Sequence, residues 1–123
     1  MAACIAFMMN DIEDAQEHWG DGWENVEEYG STAYGHNLHT WDDGQRKLRR
    51  CIRCGGYILC QWSEFHSFAD DDDYYTDFFP VESPEEADEF NQRYDGYQIE
   101  QLLSRRFLCI TNGRYHWVER KED

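Results

Sequence analysis

Four side chains have the types and spacing to hold a metal ion. Cys51 and Cys54 form a C-x-x-C pair followed by Gly55-Gly56, and His36 and His39 form an H-x-x-H pair upstream. Two thiolates two residues apart reach one ion from the tip of a hairpin. The glycines permit the positive φ that turns backbone N–H groups toward sulfur. The expectation is a structural zinc held by Cys51, Cys54, His36 and His39, with His66 and Cys60 as spare ligands. Against it stands the plainer reading of two small hairpin residues and two histidines on a surface strand. A catalytic zinc would need an open coordination position and a nearby general base. No H-x-E with P-C-x-x-C supplies that here, so no catalytic residue is assigned. A small hydrolase using these four groups ranks last among the functional readings. A redox C-x-x-C opens a helix after a strand, whereas this one runs into Gly-Gly and a strand.

The five cysteines are an odd number. Met1–Met9 has no basic stretch ahead of it, and no apolar run is long enough to span a bilayer. These features suggest a reducing cytoplasm and a free-thiol protein rather than a disulfide framework. A length of 123 residues suits one domain. Hydrophobic residues at 41% and aromatics at 16% are enough for a packed core.

Charge is the second distinctive feature. The net charge is −15, which repels nucleic acid and anionic membranes and attracts basic surfaces. Residues 1–43 hold ten acids and no Lys or Arg, and residues 64–100 hold thirteen acids and one Arg. Between them Arg46, Lys47, Arg49, Arg50 and Arg53 make a basic hairpin. The acids alternate with aromatics, unlike a disordered acidic tail. Candidate partner-binding residues are Trp19, Trp23, Glu24, Glu27, Glu28, Asp70, Asp71, Asp72, Asp73, Tyr74, Tyr75 and Asp77. The aspartate run lacks the D-x-D-x-D-G spacing of a calcium loop. Solvation would also keep its carboxylates ordinary, which disfavours acid–base catalysis. The bland alternative is a solvated acidic loop.

The elements that must position these groups read as α+β: a small, mostly antiparallel sheet with one or two short helices and a zinc-knuckle hairpin. Residues 3–18 read as a helix and the glycine-rich 20–35 as an irregular arm. Thus 1–35 forms an acidic N-terminal part and 36–123 the body. Strands are predicted over 36–41, 46–53, 57–63 and 74–81, with a turn at Asp42-Asp43-Gly44 and a stop at Pro80. Ser83-Pro84-Glu85-Glu86 starts a helix over 83–94. A turn of helix follows over 98–103. Asn112-Gly113 joins 105–111 and 114–119 as a hairpin.

In length, acidity and aromatic-rich segments the chain resembles small acidic proteins of phages and other bacterial mobile elements, among which anti-CRISPR proteins are the functional group. The run from Cys51-x-x-Cys54-Gly55-Gly56-Tyr57 through Ser63-Glu64-Phe65-His66 to Ser83-Pro84-Glu85-Glu86-Ala87 is similar to that of uncharacterised small proteins of Firmicutes mobile elements. The resemblance implies a non-enzymatic DNA mimic that blocks a CRISPR-Cas effector such as Cas9, in the cytoplasm of the host cell. Carboxylates at a density comparable to DNA phosphates can fill a Lys/Arg-lined channel. The alternative is a zinc-ribbon nucleic-acid-binding or adaptor module acting through the basic hairpin, 46–62.

Overall fold

The computed structural model describes residues 3–31, 41–65, 73–94 and 105–119, with backbone alone at 30–31, 41–44, 63–65 and 73–75. Six strands form one antiparallel sheet in chain order. They are β1 (Trp23–Ser31), β2 (Trp41–Cys51), β3 (Tyr57–Phe65), β4 (Asp73–Val81), β5 (Phe107–Thr111) and β6 (Arg114–Val118). A 3-10 turn at Ile5–Met8 and helix α1 (Ile12–His18) precede the sheet, and α2 (Pro84–Arg93) lies between β4 and β5. The α+β expectation of a mostly antiparallel sheet with short helices holds.

Strand alternation puts apolar side chains on both faces. Leu48, Leu59 and Phe79 are register partners, and with Val81 and Phe107 they pack against Ala87 and Phe90 of α2. The opposite face presents Cys51, Ile58, Cys60, Phe78 and Leu108 to Cys4, Ala6, Phe7, Ala15 and Trp19 of the N-terminal segment. The sheet is thus the middle of three layers. Phe79 stacks on Phe107 at 4.7 Å between centroids, and Trp19 on Phe78 at 5.1 Å.

One row of the α2 face is polar and buried: Arg46, Gln61 and Asp77 are register neighbours, each about 1% exposed. Arg46 Nε donates to Gln61 Oε1 at 2.7 Å, and its NH1 donates to Asn91 Oδ1 and to the Tyr94 carbonyl. A buried guanidinium needs such partners to offset its desolvation. The network fastens the end of α2 to the sheet.

Several expectations change. Residues 20–35 contain a strand, not only an irregular arm: β1 pairs along β2, with register shifts at Asn25/Glu27 and Glu28/Gly30 that break its alternation. The predicted 3–18 helix divides into the 3-10 turn and α1, whose N-cap Asp11 accepts from Glu13 N. Asp42-Asp43-Gly44 lies inside β2, where the register shifts between Trp41 and Asp43, so turn-type residues make a bulge. β4 runs through Pro80 to Val81. The β4–β5 ladder ends at Phe78, so position 80 has no β5 partner and needs no N–H on that side. Most of the predicted strand 36–41 and all of the predicted turn 98–103 lie outside the described residues. Asn112 and Gly113 both take positive φ, as the tight hairpin turn requires.

The start of α2 follows the expected chemistry. Ser83 Oγ accepts from Glu86 N at 3.1 Å, Pro84 opens the helix, and Glu86 accepts from Glu82 N. Arg105 grips both oxygens of Glu86 and also donates to the Pro80 carbonyl. The Arg105 hydrogen bonds hold the Glu86 carboxyl below its usual value of 4.5. A depressed folded-state pKa stabilises fully above the unfolded value, and the contribution fades as pH falls through the lower folded value. Glu86→Gln keeps the capping geometry and removes the charge. It should cost about 1 kcal/mol at pH 7. In urea titrations the gap from wild type should narrow once the pH drops below that of an ordinary carboxyl.

Candidate metal centre

Three separate pieces of chain converge where the N-terminal layer meets the β2–β3 hairpin. Cys51 ends β2, and Cys54 sits in the turn that follows. The turn is closed by Gly55 N donating to the Cys51 carbonyl and Cys51 N to the Gly56 carbonyl, both at 2.8 Å. Gly55 takes φ 76°, which lets the chain reverse within so few residues. Cys4 arrives from the N-terminal segment, which joins β3 through a parallel bridge of Ala3 to Tyr57 and a bond from Cys4 N to the Tyr57 carbonyl. His18 is the last residue of α1.

The ligand atoms of Cys4, His18, Cys51 and Cys54 all lie within 4.8 Å of one another. Cys51 Sγ is 3.4 Å from His18 Nε2, and Cys54 Sγ is 3.5 Å from Cys4 Sγ. Ligands about 2.0–2.3 Å from a tetrahedral ion stand roughly 3.5–3.8 Å apart, so these spacings suit one. Cys4 and Cys51 are 1% exposed and His18 is 5% exposed, while Cys54 is half-buried. The group could bind a metal ion.

The surroundings favour bound thiolate. Trp19 Nε1 donates to Cys4 Sγ at 3.2 Å, and Gly56 N donates to Cys54 Sγ at 3.4 Å. Burial opposes ionisation of Cys54. The N–H groups of Ile5 and Gly56, with His18 and Cys4, outweigh it and bring the thiol down to about 6. At Cys4 burial dominates and pushes the thiol up to about 12, over the opposing bonds from Ala6 and Trp19. Oriented N–H groups aimed at sulfur are the second shell that metal thiolates use.

Two of the four expected ligands, Cys51 and Cys54, are therefore in the cluster. The other two places are taken by Cys4 and His18, which local spacing did not suggest. His36, His39 and His66 lie outside the described residues. Cys60 sits in the core with its thiol pushed up to about 12 by burial, away from the cluster.

The partner-binding candidates scatter. Asp77 is buried in the polar row and offers no charge to a partner. Trp19 is 6% exposed, packed on Phe7 and Phe78, so it is a core residue rather than contact area. Trp23 is half-buried beneath the Arg49 guanidinium. Glu24 pairs with Arg50 and Glu28 with Lys47, while Glu27 is exposed. Asp73, Tyr74 and Tyr75 stand on β4 opposite Phe65, Glu64 and Ser63. Asp70, Asp71 and Asp72 lie outside the described residues.

The five cations of the basic hairpin all have partners. Lys47, Arg50 and Arg53 pair with Glu28, Glu24 and Asp21. Arg49 donates to Asn25 Oδ1 and covers Trp23, and Arg46 is buried. Three of the five charges are thus paired with carboxylates of β1 and the segment before it.

No helix among the described residues is long and apolar enough to cross a membrane. No family model matches the chain, and neither a curated protein nor a solved structure matches it.

Gly56 lies so close to the Cys4 backbone that a Cβ there would overlap it. Main-chain atoms cannot swing aside, so Gly56→Ala should separate the N-terminal segment from the hairpin. The expected loss is about 3 kcal/mol or more in denaturant titrations. Gly20→Ala, with open space around its Cβ, is the control and should change stability little.

Proposed function

We propose that the protein is a non-enzymatic, zinc-stapled binding protein that offers exposed carboxylates to a basic, nucleic-acid-binding partner. The target class is the guide-loaded CRISPR effector nuclease of a bacterial host, whose Lys/Arg-lined channel is the complementary surface. Zinc is the ion favoured by three thiolates and one imidazole in four-coordinate reach. With all four places filled by protein there is no open position for water or substrate, which supports a structural rather than a catalytic ion.

The observation that carries the binding reading is where acid remains after internal pairing. Glu13, Asp14 and Glu17 are exposed on α1, and among the described residues none of them is ion-paired. α1 ends in His18, so the cluster that would hold the ion also anchors this acidic ridge. A helix of seven residues has little stability of its own and depends on that anchor. Nucleic acid as the direct partner is disfavoured, because the cations of the hairpin are already engaged.

Protein purified without chelator should hold about one zinc per chain. Cobalt substitution should give the intense visible bands of a tetrahedral thiolate site. Cys51→Ser and His18→Ala should each weaken zinc binding at least about tenfold. For the partner, the chain should displace duplex DNA from a guide-loaded effector in fluorescence anisotropy, with an affinity that falls steeply as salt rises. A triple Glu13→Gln, Asp14→Gln, Glu17→Gln variant should compete at least about tenfold less well and with a flatter salt dependence. Displacement unchanged by the triple variant, or absent at every salt concentration, would count against the binding reading.

A further inference from the structure

The four members of the cluster are not equally accessible. Cys4, Cys51 and His18 are buried, and Cys54 alone is half-exposed, in the turn between β2 and β3. Its Sγ is 3.5 Å from the Cys4 Sγ, whereas Cys51 Sγ stands against the imidazole of His18. An accessible cysteine sulfur with a second sulfur beside it is the arrangement of an oxidisable thiol and its resolving partner. The two sulfurs come from segments fifty residues apart. Their approach was made by the fold, through Gly56 under the Cys4 backbone and the Cys4–Tyr57 bond.

We infer that Cys54 is a site of oxidation by hydroperoxides, and that Cys4 resolves it as a Cys4–Cys54 disulfide that dismantles the metal centre. The Cys54 sulfur attacks one peroxide oxygen and the O–O bond breaks. This leaves Cys54 as a sulfenic acid, and the departing oxygen takes a proton to leave as water. The Cys4 sulfur then attacks the Cys54 sulfur. The S–S bond forms, the S–O bond breaks, and the hydroxide leaves as a second water with a second proton. Two electrons pass from the two sulfurs to one hydrogen peroxide, and two thiolates, two protons and one peroxide give one disulfide and two waters. Contraction from 3.5 Å to a bond of about 2.05 Å is a movement that a turn can absorb. Of the four cluster members Cys51 and His18 then remain, too few for a structural site.

The consequence reaches beyond the sulfurs. His18 is the end of α1, and Trp19 donates to the Cys4 sulfur that the disulfide withdraws. Oxidation therefore loosens the acidic ridge as it releases the ion, while the disulfide keeps residue 4 tied to the hairpin. The inference rests on the zinc reading, and the two can fail separately.

The test treats the zinc-loaded full chain with hydrogen peroxide in the presence of a chromophoric zinc chelator. Alkylation, tryptic digestion without reductant and mass spectrometry follow. Arg53 lies between Cys51 and Cys54, so cleavage there separates those two cysteines, and fragmentation of peptide 54–93 assigns a link to Cys54 or to Cys60. The expected result is release of about one equivalent of zinc, in step with a peptide linking Cys4 to Cys54. In Cys4→Ser, dimedone should label Cys54. A chain that carries no zinc before peroxide is added overturns the zinc reading. Zinc retained while free glutathione in the same tube is oxidised overturns the oxidation site. So does release accompanied by a Cys51–Cys54 link.

Discussion

The contact between the N-terminal segment and the β2–β3 hairpin is the constraint on which one whole face of the sheet depends. That face carries Cys51, Ile58, Cys60, Phe78 and Leu108, and among the described residues the segment 3–19 is the layer that packs over it. The covering segment is a 3-10 turn and a seven-residue helix, neither of which is stable in isolation. It is held at three places. Cys4 meets Tyr57 and lies over Gly56. Arg106 donates to the carbonyls of Phe7 and Met9 while its guanidinium lies 3.8 Å from the centre of the Trp117 ring. His18 and Cys4 meet Cys51 and Cys54. The first two are ordinary polar and cation–π contacts, each of modest net strength. An ion bound at the third would add a constraint of a different order, because metal affinity is folding free energy when the unfolded chain has no preformed site.

The other face needs no such device. α2 begins with a proline and a capping serine, it is tied by Glu86 to Arg105, and its far end is fixed by Arg46 through Asn91 and Tyr94. The two layers thus solve the same problem differently. One uses a well-capped helix with local signals. The other uses a poor helix former gathered around sulfur and imidazole.

This difference explains what was legible in the sequence. Helix α2, strands β3, β4, β5 and β6 and the Asn112-Gly113 turn are written in local chemistry: caps, alternation and positive-φ residues. β1 escaped because its two register shifts destroy the period-two pattern that identifies a strand. Half the metal cluster was legible, since C-x-x-C followed by Gly-Gly is a short-range arrangement. The other half was not. Cys4 and His18 are separated from that pair by β1 and most of β2, and their convergence is a property of the sheet's order. The signal that did exist was compositional: a cysteine and a histidine at the two ends of the covering segment, with Ala6, Phe7 and Ala15 between them as its apolar side.

Charge follows the same logic of long-range convergence. Read along the chain, −15 is divided into acidic and basic blocks. Folding lays the basic block of β2 and its turn against the acidic strand β1, so Lys47, Arg50 and Arg53 meet Glu28, Glu24 and Asp21. These are exposed pairs, which contribute little stability each in water. Their larger effect is on what the surface offers. A hairpin that looks like a phosphate binder in sequence has three of its five cations paired by its neighbour. The acid of β1 that seemed free is partly used in doing so, and Asp77 is withdrawn into the interior. Among the described residues, Glu13, Asp14 and Glu17 of α1 stay outside as a group of exposed carboxylates without an ion pair. Their position is set by the least self-sufficient element of the fold, so any partner that reads this ridge also reads whether α1 is anchored.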